Sequence, residues 1–141
     1  MPVRVDRNLP ISSREINALR EAAWDRVGAQ EWEPILERSL GWVGAVAGDR
    51  LVGFVNIAWD GGVHAFLLDT TVHPEYQRRG LGQALVEVAA GMAREREVEW
   101  LHVDFEDDLE PFYRGCGFRP TAAGLLDLTA PTDATESAPE A

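Results

Sequence analysis

Apolar residues change their spacing several times along this chain, and each change marks an element. Val3 and Val5 alternate with Arg4, Asp6 and Arg7, which predicts a short edge strand ended by Pro10. Ile16, Leu19, Ala23 and Val27 then fall on one helical face. The helix opens on Ser12-Ser13-Arg14-Glu15, the Ser-x-x-Glu spacing of a capping box, and closes at Gly28. A second helix begins between Glu31 and Pro34, turns Ile35 and Leu36 inward and stops before Gly41. Trp42 to Ala47 and Arg50 to Trp59 read as strands joined by the tight turn Gly48-Asp49. Asp60-Gly61-Gly62 turns the chain into a third strand, His64 to Val72.

Beyond Val72 the period returns to that of a helix, with Leu81, Leu85, Val88 and Met92 in line and an end near Glu97. Gly91 inside this helix costs about 1 kcal/mol relative to Ala and points to close packing or a local fray. Trp100 to Phe105 alternates strictly, with Leu101, Val103 and Phe105 on one face. Strand, helix and strand in that order predict a parallel βαβ unit. Asp107 to Arg114 forms a short helix broken by Gly115-Cys116-Gly117, and Phe118–Thr121 and Leu125–Leu128 read as two last short strands. From Thr129 onward Ala, Pro, Thr and Glu leave little to bury, so 129–141 is expected to be a disordered tail behind one domain at 1–128. The fold class is α/β, with a mixed sheet.

Composition narrows the function. In 141 residues, 45% are hydrophobic, enough for one real core. The net charge of −11 disfavours nucleic acid, whose phosphates need Lys and Arg, and suits a cationic partner such as an amine. The one cysteine excludes an internal disulfide. No segment reads as a signal peptide or membrane span, so a cytoplasmic protein with no membrane partner is expected. His, Cys and carboxylates show no metal-ligand spacing, and no metal is expected.

The stretch Val72-His73-Pro74-Glu75-Tyr76-Gln77-Arg78-Arg79-Gly80-Leu81-Gly82-Gln83 joins a strand to the first turn of a helix. The first N–H groups of a helix lack internal partners, and the helix dipole favours an anion there. With Arg78 and Arg79 beside those donors, this is a place to hold a pyrophosphate. The dinucleotide fingerprint would need glycine where Leu85 stands, and the P-loop would need a Gly-Lys-Ser/Thr ending.

Gln77-Arg78-Arg79-Gly80-Leu81-Gly82 resembles the Gln/Arg-x-x-Gly-x-Gly/Ala loop of the GNAT superfamily of N-acetyltransferases, which binds the pyrophosphate of acetyl coenzyme A. Val72 to Tyr76 resembles the usual lead-in. Pro111-Phe112-Tyr113-Arg114-Gly115-Cys116-Gly117-Phe118 is similar to the family's later Leu/Phe-Tyr-x-x-x-Gly-Phe signature, in the family's order. The resemblance covers roughly Val3 to Leu128. It implies a mixed sheet of six or seven strands with about four helices. The sheet would splay between the strands at 64–72 and 100–105, with the cofactor in the opening. Val72, Gln77, Arg78, Arg79, Gly80, Leu81, Gly82 and Gln83 are the implied cofactor contacts.

The implied reaction moves acetyl from acetyl-CoA directly to a primary amine of a small molecule or peptide. The amine must lose a proton, the oxyanion needs a donor, taken in the family from strand backbone near Val72, and the departing thiolate needs a proton. Resemblance puts Tyr113 at the general-acid position. A phenol near pKa ~10 gives its proton to a thiolate whose acid lies near ~8.5 only against the gradient, unless the site tunes it. For the base, the bacterial ribosomal-protein alanine acetyltransferases share the same loop and use a glutamate on the strand after the long helix. Lining up the two motifs, with one deletion before Tyr113, puts His102 there, and Asp104 on the same face can orient it. Asp69 and water remain alternatives. Phe66 stands where histone-type members carry a catalytic glutamate, which argues against their mechanism. The run Asp104, Glu106, Asp107, Asp108 and Glu110 should lie near the acetyl site and favour a cationic acceptor. Relatives' cofactor-touching asparagine is missing from this loop. Trp24 and Trp32 either plug the core or line the acceptor pocket, and Cys116 packs at the helix end. Dimers are common among relatives, so a homodimer is a further expectation. The alternative function is a non-catalytic acyl-CoA-binding module of the same fold.

Overall fold

The computed structural model describes residues 2–129. Its elements run β1 (Val3–Arg7), α1 (Ser13–Ala23), α2 (Glu33–Arg38), β2 (Gly41–Ala47), β3 (Arg50–Trp59), β4 (His64–Val72), α3 (Leu81–Glu95), β5 (Trp100–Val103) and α4 (Glu110–Gly115). Short 3-10 turns precede α3, at Pro74–Tyr76, and α4, at Asp107–Leu109. The strands form one sheet in chain order. β1 to β4 pair antiparallel, and β5 pairs parallel to β4 through the α3 crossover.

Two apolar clusters flank the sheet. Ile16, Leu19, Trp32, Leu36, Leu51 and Phe54 pack under α1 and α2. The larger cluster joins α3, through Leu81, Leu85, Val86 and Ala89, to Val43, Val52, Val55, Ile57 and Leu67. Burial of these side chains, each contributing about 1.5–3 kcal/mol, is what fixes the layers. Trp32 is one of the core plugs, edge-on to Phe54 at 5.5 Å.

The capping box forms: Ser12 Oγ accepts from the Glu15 N–H at 3.2 Å, and Glu15 Oε1 accepts from the Ser12 N–H at 3.0 Å. The helix ends before the expected Val27 and Gly28. Trp24 leaves it with extended backbone, and its indole N–H donates to Thr71 Oγ1 of β4 at 3.2 Å. A tertiary bond thus stops a helix that spacing alone would continue. Gly91 shows no fray, because it lies within α3 and Arg7 crosses over it to pair with Glu95.

The sheet has five strands rather than six or seven, with four α-helices as expected. The two last predicted strands, at 118–121 and 125–128, are absent, because among the described residues nothing pairs with that segment. β5 also stops at Val103, short of Phe105. The expected tail lies outside the described residues except for Thr129. No described helix is long and apolar enough to cross a membrane.

Candidate active site

β4 and β5 are partners only from His64↔Trp100 to Leu67↔Val103. Beyond that the strands part, and Leu68 to Val72 loses its neighbour on that side. Two features drive the separation. β4 carries an extra residue against β3, since Phe54 faces Thr71 while Asn56 faces Leu68. Asp69 at this bulge has left-handed backbone, φ 61°. A bulge re-aims the strand and ends its pairing. The opening expected between these strands is therefore present.

The glycine turn sits at one end of the opening. Gln77 Nε2 donates to the Val72 carbonyl at 3.1 Å, which staples the loop to the end of β4. His73 Nδ1 accepts from the Glu75 N–H at 3.1 Å and shapes the following 3-10 turn. Arg78 and Gly80 both take left-handed backbone, φ 63° and 79°. Gly80 caps α3 without a side chain, so the N–H groups of Leu81, Gly82 and Gln83 have no helical acceptor. A Cβ at Gly80 would meet nothing within 4 Å, so the approach to these donors is open. The Arg79 guanidinium stacks over Tyr76 at 5.2 Å. The helix-end donors and dipole thus make a spot fit for a diphosphate, with Arg78 and Arg79 next to it in the chain.

α4 closes the other wall. Tyr113 is buried, stacked on Phe105 at 5.0 Å and edge-on to Phe112 and Phe118. Burial pushes its phenol pKa up, offset in part by a hydrogen bond with the Thr70 side chain. Tyr113 therefore reaches the β4 bulge and stays protonated through neutral pH.

His102 and Asp104 lie on the sheet face beside the opening. Both are exposed, on the face of β5 turned away from α3. His102 faces Phe66 in the β4–β5 register, at the paired end of the strands, and stacks on it at 4.6 Å. Its hydrogen-bond partner is His64, Nδ1 to Nε2 at 2.9 Å. Among the described residues no hydrogen bond joins it to Asp104. Phe66, Leu68 and Trp100 surround this pair as exposed apolar surface. The structure thus gathers Tyr113 and the glycine turn around the opening and sets His102 with His64 on the sheet face beside it.

Other residues near the opening carry weaker sequence signals. Asp69 is half-buried at the bulge, where burial raises its carboxyl pKa and the Arg20 guanidinium opposes the shift. Nη1 of that arginine is buried without a hydrogen-bond partner. Trp24 is 46% exposed at the edge of the α1 layer. Phe112 packs on Gly82 and ties α4 to the loop. A parallel β4–β5 pairing was the signal for His64, because it puts residues of the two strands side by side. The bulge had none, since most aspartates do not take left-handed backbone even though the residue is enriched there. Cys116 is half-buried against the α3 cluster, and burial raises its thiol pKa.

Known proteins share this fold. The sequence profile described as the Acetyltransferase (GNAT) family matches residues 9–118. An uncharacterised N-acetyltransferase, ycf52, of Porphyra purpurea is 35% identical over 79 residues, 56% of this chain and 45% of that protein. A chloroplastic GCN5-related N-acetyltransferase of Arabidopsis thaliana is 30% identical over 79 residues, 56% of this chain and 31% of that protein. The match spans less than half the length of each of these two relatives. Among solved structures, a GNAT-family acetyltransferase of Streptococcus pneumoniae superposes with a TM-score of 0.74 at 26% identity, over 90% of this chain and 99% of that one. A putative acetyltransferase of Deinococcus radiodurans has the same fold, with a TM-score of 0.75 at 23% identity, over 89% and 88% of the two chains. With its two motifs on either side of the β4–β5 opening and the family profile running across both, the chain belongs to the GNAT family of acetyltransferases.

Proposed function

We propose that this chain transfers acetyl from acetyl coenzyme A to a primary amine of a small molecule or peptide. The observation that carries the reading is the parting of β4 from β5, flanked by the glycine turn and by Tyr113. The open approach at Gly80 and the unpaired N–H groups beyond it fit the diphosphate of that co-substrate. When bound, the group supplies a thioester-activated acetyl.

The chain's own residues divide the remaining work. The N–H groups of Leu81, Gly82 and Gln83, with Arg78 and Arg79, bind the diphosphate. The unpaired edge of β4 from Leu68 to Val72 offers backbone donors to an extended amide-bearing arm and, at its end, to a developing oxyanion. Tyr113 holds the proton for the departing thiolate. Its raised pKa keeps that proton in place, and delivery depends on the negative charge building at sulfur. His102, hydrogen-bonded to His64, takes the amine proton directly or through water. The exposed carboxylates of Asp104, Glu106, Asp107 and Asp108, which follow it in the chain, favour a cationic acceptor.

Calorimetric titration with acetyl coenzyme A, wild type beside Gly80→Glu, tests the reading. Micromolar binding that the variant loses is expected, followed by amine-dependent release of free thiol. A wild type that binds no acetyl coenzyme A overturns it.

A further inference from the structure

Arg20, on α1, is a cation that the fold leaves unused. Its guanidinium lies over the Trp32 ring, with Cζ 5.2 Å from the ring centroid. Nη1 is buried and makes no hydrogen bond. Among the described residues Arg20 forms no ion pair, although its charge acts on the carboxyl of Asp69. An indole face occupies the flat side of a guanidinium and satisfies none of its in-plane N–H groups. A buried charged donor without an acceptor is costly, and such groups in native folds are ordinarily paired. Arg20 as a whole is half-buried, so the side chain lies at the border of the core rather than sealed within it.

Its place in the fold points to where the missing acceptor comes from. Four residues further on, Trp24 donates its indole N–H to Thr71 Oγ1 of β4. Asp69 stands two residues before Thr71, at the bulge that opens β4 from β5. Thr70, between them, is hydrogen-bonded with Tyr113, which packs in the α3 cluster. The unpaired edge of β4 thus has Arg20 of α1 on one side and Tyr113 of α4 on the other. Arg20 flanks the opening from the face opposite α3, the face that also carries His102.

We propose that Arg20 binds a carboxylate of the acceptor, so that the amine substrates of this chain are amino carboxylic acids. The proposal rests on the acetyl-transfer reading and names the substrate class for it. A guanidinium presents a planar fork of N–H donors that a carboxylate matches with two parallel hydrogen bonds. Trp32 holds the plane of that fork while leaving its edge free. The charge at the site selects among anions. One arginine beside the Asp69 carboxyl suits a monoanion that carries its own ammonium group, and it opposes a dianionic phosphate. The acceptor then lies with its carboxylate on Arg20 and its amine at the opening, across the β4 edge from Tyr113.

A panel of the coded amino acids, each beside its carboxamide, tests this on the full chain with saturating acetyl coenzyme A. The expected kcat/KM, read by thiol release, is at least about tenfold higher for an acid than for its amide, carried mainly by KM. Arg20→Met should bring that ratio close to one. Arg20→Lys, which keeps the charge without the fork, should restore part of it. A merely structural role for Arg20 would lower both members of each pair alike and leave their ratio in place. A wild type that uses amides as well as acids overturns the carboxylate site and leaves acetyl transfer standing. A preference for acids that survives in Arg20→Met overturns it too, by locating the carboxylate elsewhere. If neither series releases thiol, the Nε–H resonance of Arg20, assigned by its loss in Arg20→Met, decides. Acids that move it where amides do not keep the site while the transfer reading fails. A resonance that no acid moves overturns the site as well.

Discussion

A Cβ on Gly82 would stand 3.1 Å from both Cε1 and Cζ of Phe112. The second glycine of the turn is therefore the seat of the helix that carries Tyr113. Gly82→Ala forces Phe112 to give by a few tenths of an ångström. The expected result is weaker acetyl coenzyme A binding together with a loss of about 1–2 kcal/mol of stability. Combining it with Phe112→Leu should restore part of both. A double-mutant cycle by titration and thermal unfolding checks this, with a coupling of at least about 0.5 kcal/mol expected.

Tyr113→Phe keeps the ring among Phe105, Phe112 and Phe118 and removes only the hydroxyl. The expected kcat falls by about 10²–10⁴-fold with little change in cofactor affinity. Because the folded-state pKa is raised, the buried neutral phenol contributes stability that is complete below the unfolded value near ~10 and is lost as pH rises through the folded value. The variant should lack that alkaline component, and denaturant melts between neutral pH and the alkaline range measure it.

His102→Gln is expected to lower kcat/KM by about 10²-fold or more. His64→Gln should lower kcat/KM by a smaller factor without abolishing turnover, since His64 acts through its hydrogen bond to His102. Asp104→Asn should act mainly on the KM of cationic amines. If His102→Gln retains full activity, water or Asp69 takes the proton instead.

Asp69 also has a raised pKa, but its pH window lies on the acidic side. Burial raises its carboxyl pKa, so its favourable contribution is complete below the unfolded value near ~3.9 and is lost as pH rises through the folded value. At neutral pH the half-buried carboxylate is a cost. Asn removes the charge and tolerates the left-handed backbone. Asp69→Asn should melt a few degrees higher at neutral pH, with the gain narrowing as the solution is acidified.

Gly91→Ala is the simplest case. The added methyl would meet only the end of Arg7, at an ordinary 3.7 Å, inside regular helix. A gain of up to about 1 kcal/mol in chemical denaturation is expected, with activity unchanged.

What could be read in the residues was whatever local chemistry decides. The capping box at Ser12 and Glu15, the Gly48 hairpin turn, the glycine turn before α3 and the parallel crossover all rest on short-range signals, and all are present. What escaped depends on partners far along the chain. Val27 kept helical spacing, but Thr71 held Trp24 out of the helix. Leu125 to Leu128 kept strand spacing, but a strand exists only beside another, and none lies there among the described residues. The opening itself was anticipated from resemblance alone. Its physical origin, an extra residue in β4 at Asp69 and Thr70, leaves no mark in the alternation.

The neighbour-to-neighbour order of the sheet has a consequence for how the molecule assembles. Every antiparallel pairing joins strands adjacent in the chain, so the meander through Val72 can form as soon as that length has emerged from synthesis. The β4–β5 opening cannot. It needs β5 as its second lip and Tyr113 as its wall, and both come from the final third of the chain. Folding during synthesis is therefore expected to set the meander first and to complete the opening only when α3 docks and β5 pairs beside His64 to Leu67. Substitutions in the meander should change how fast the chain folds. Substitutions after Leu81 should change mainly how long the finished molecule lasts.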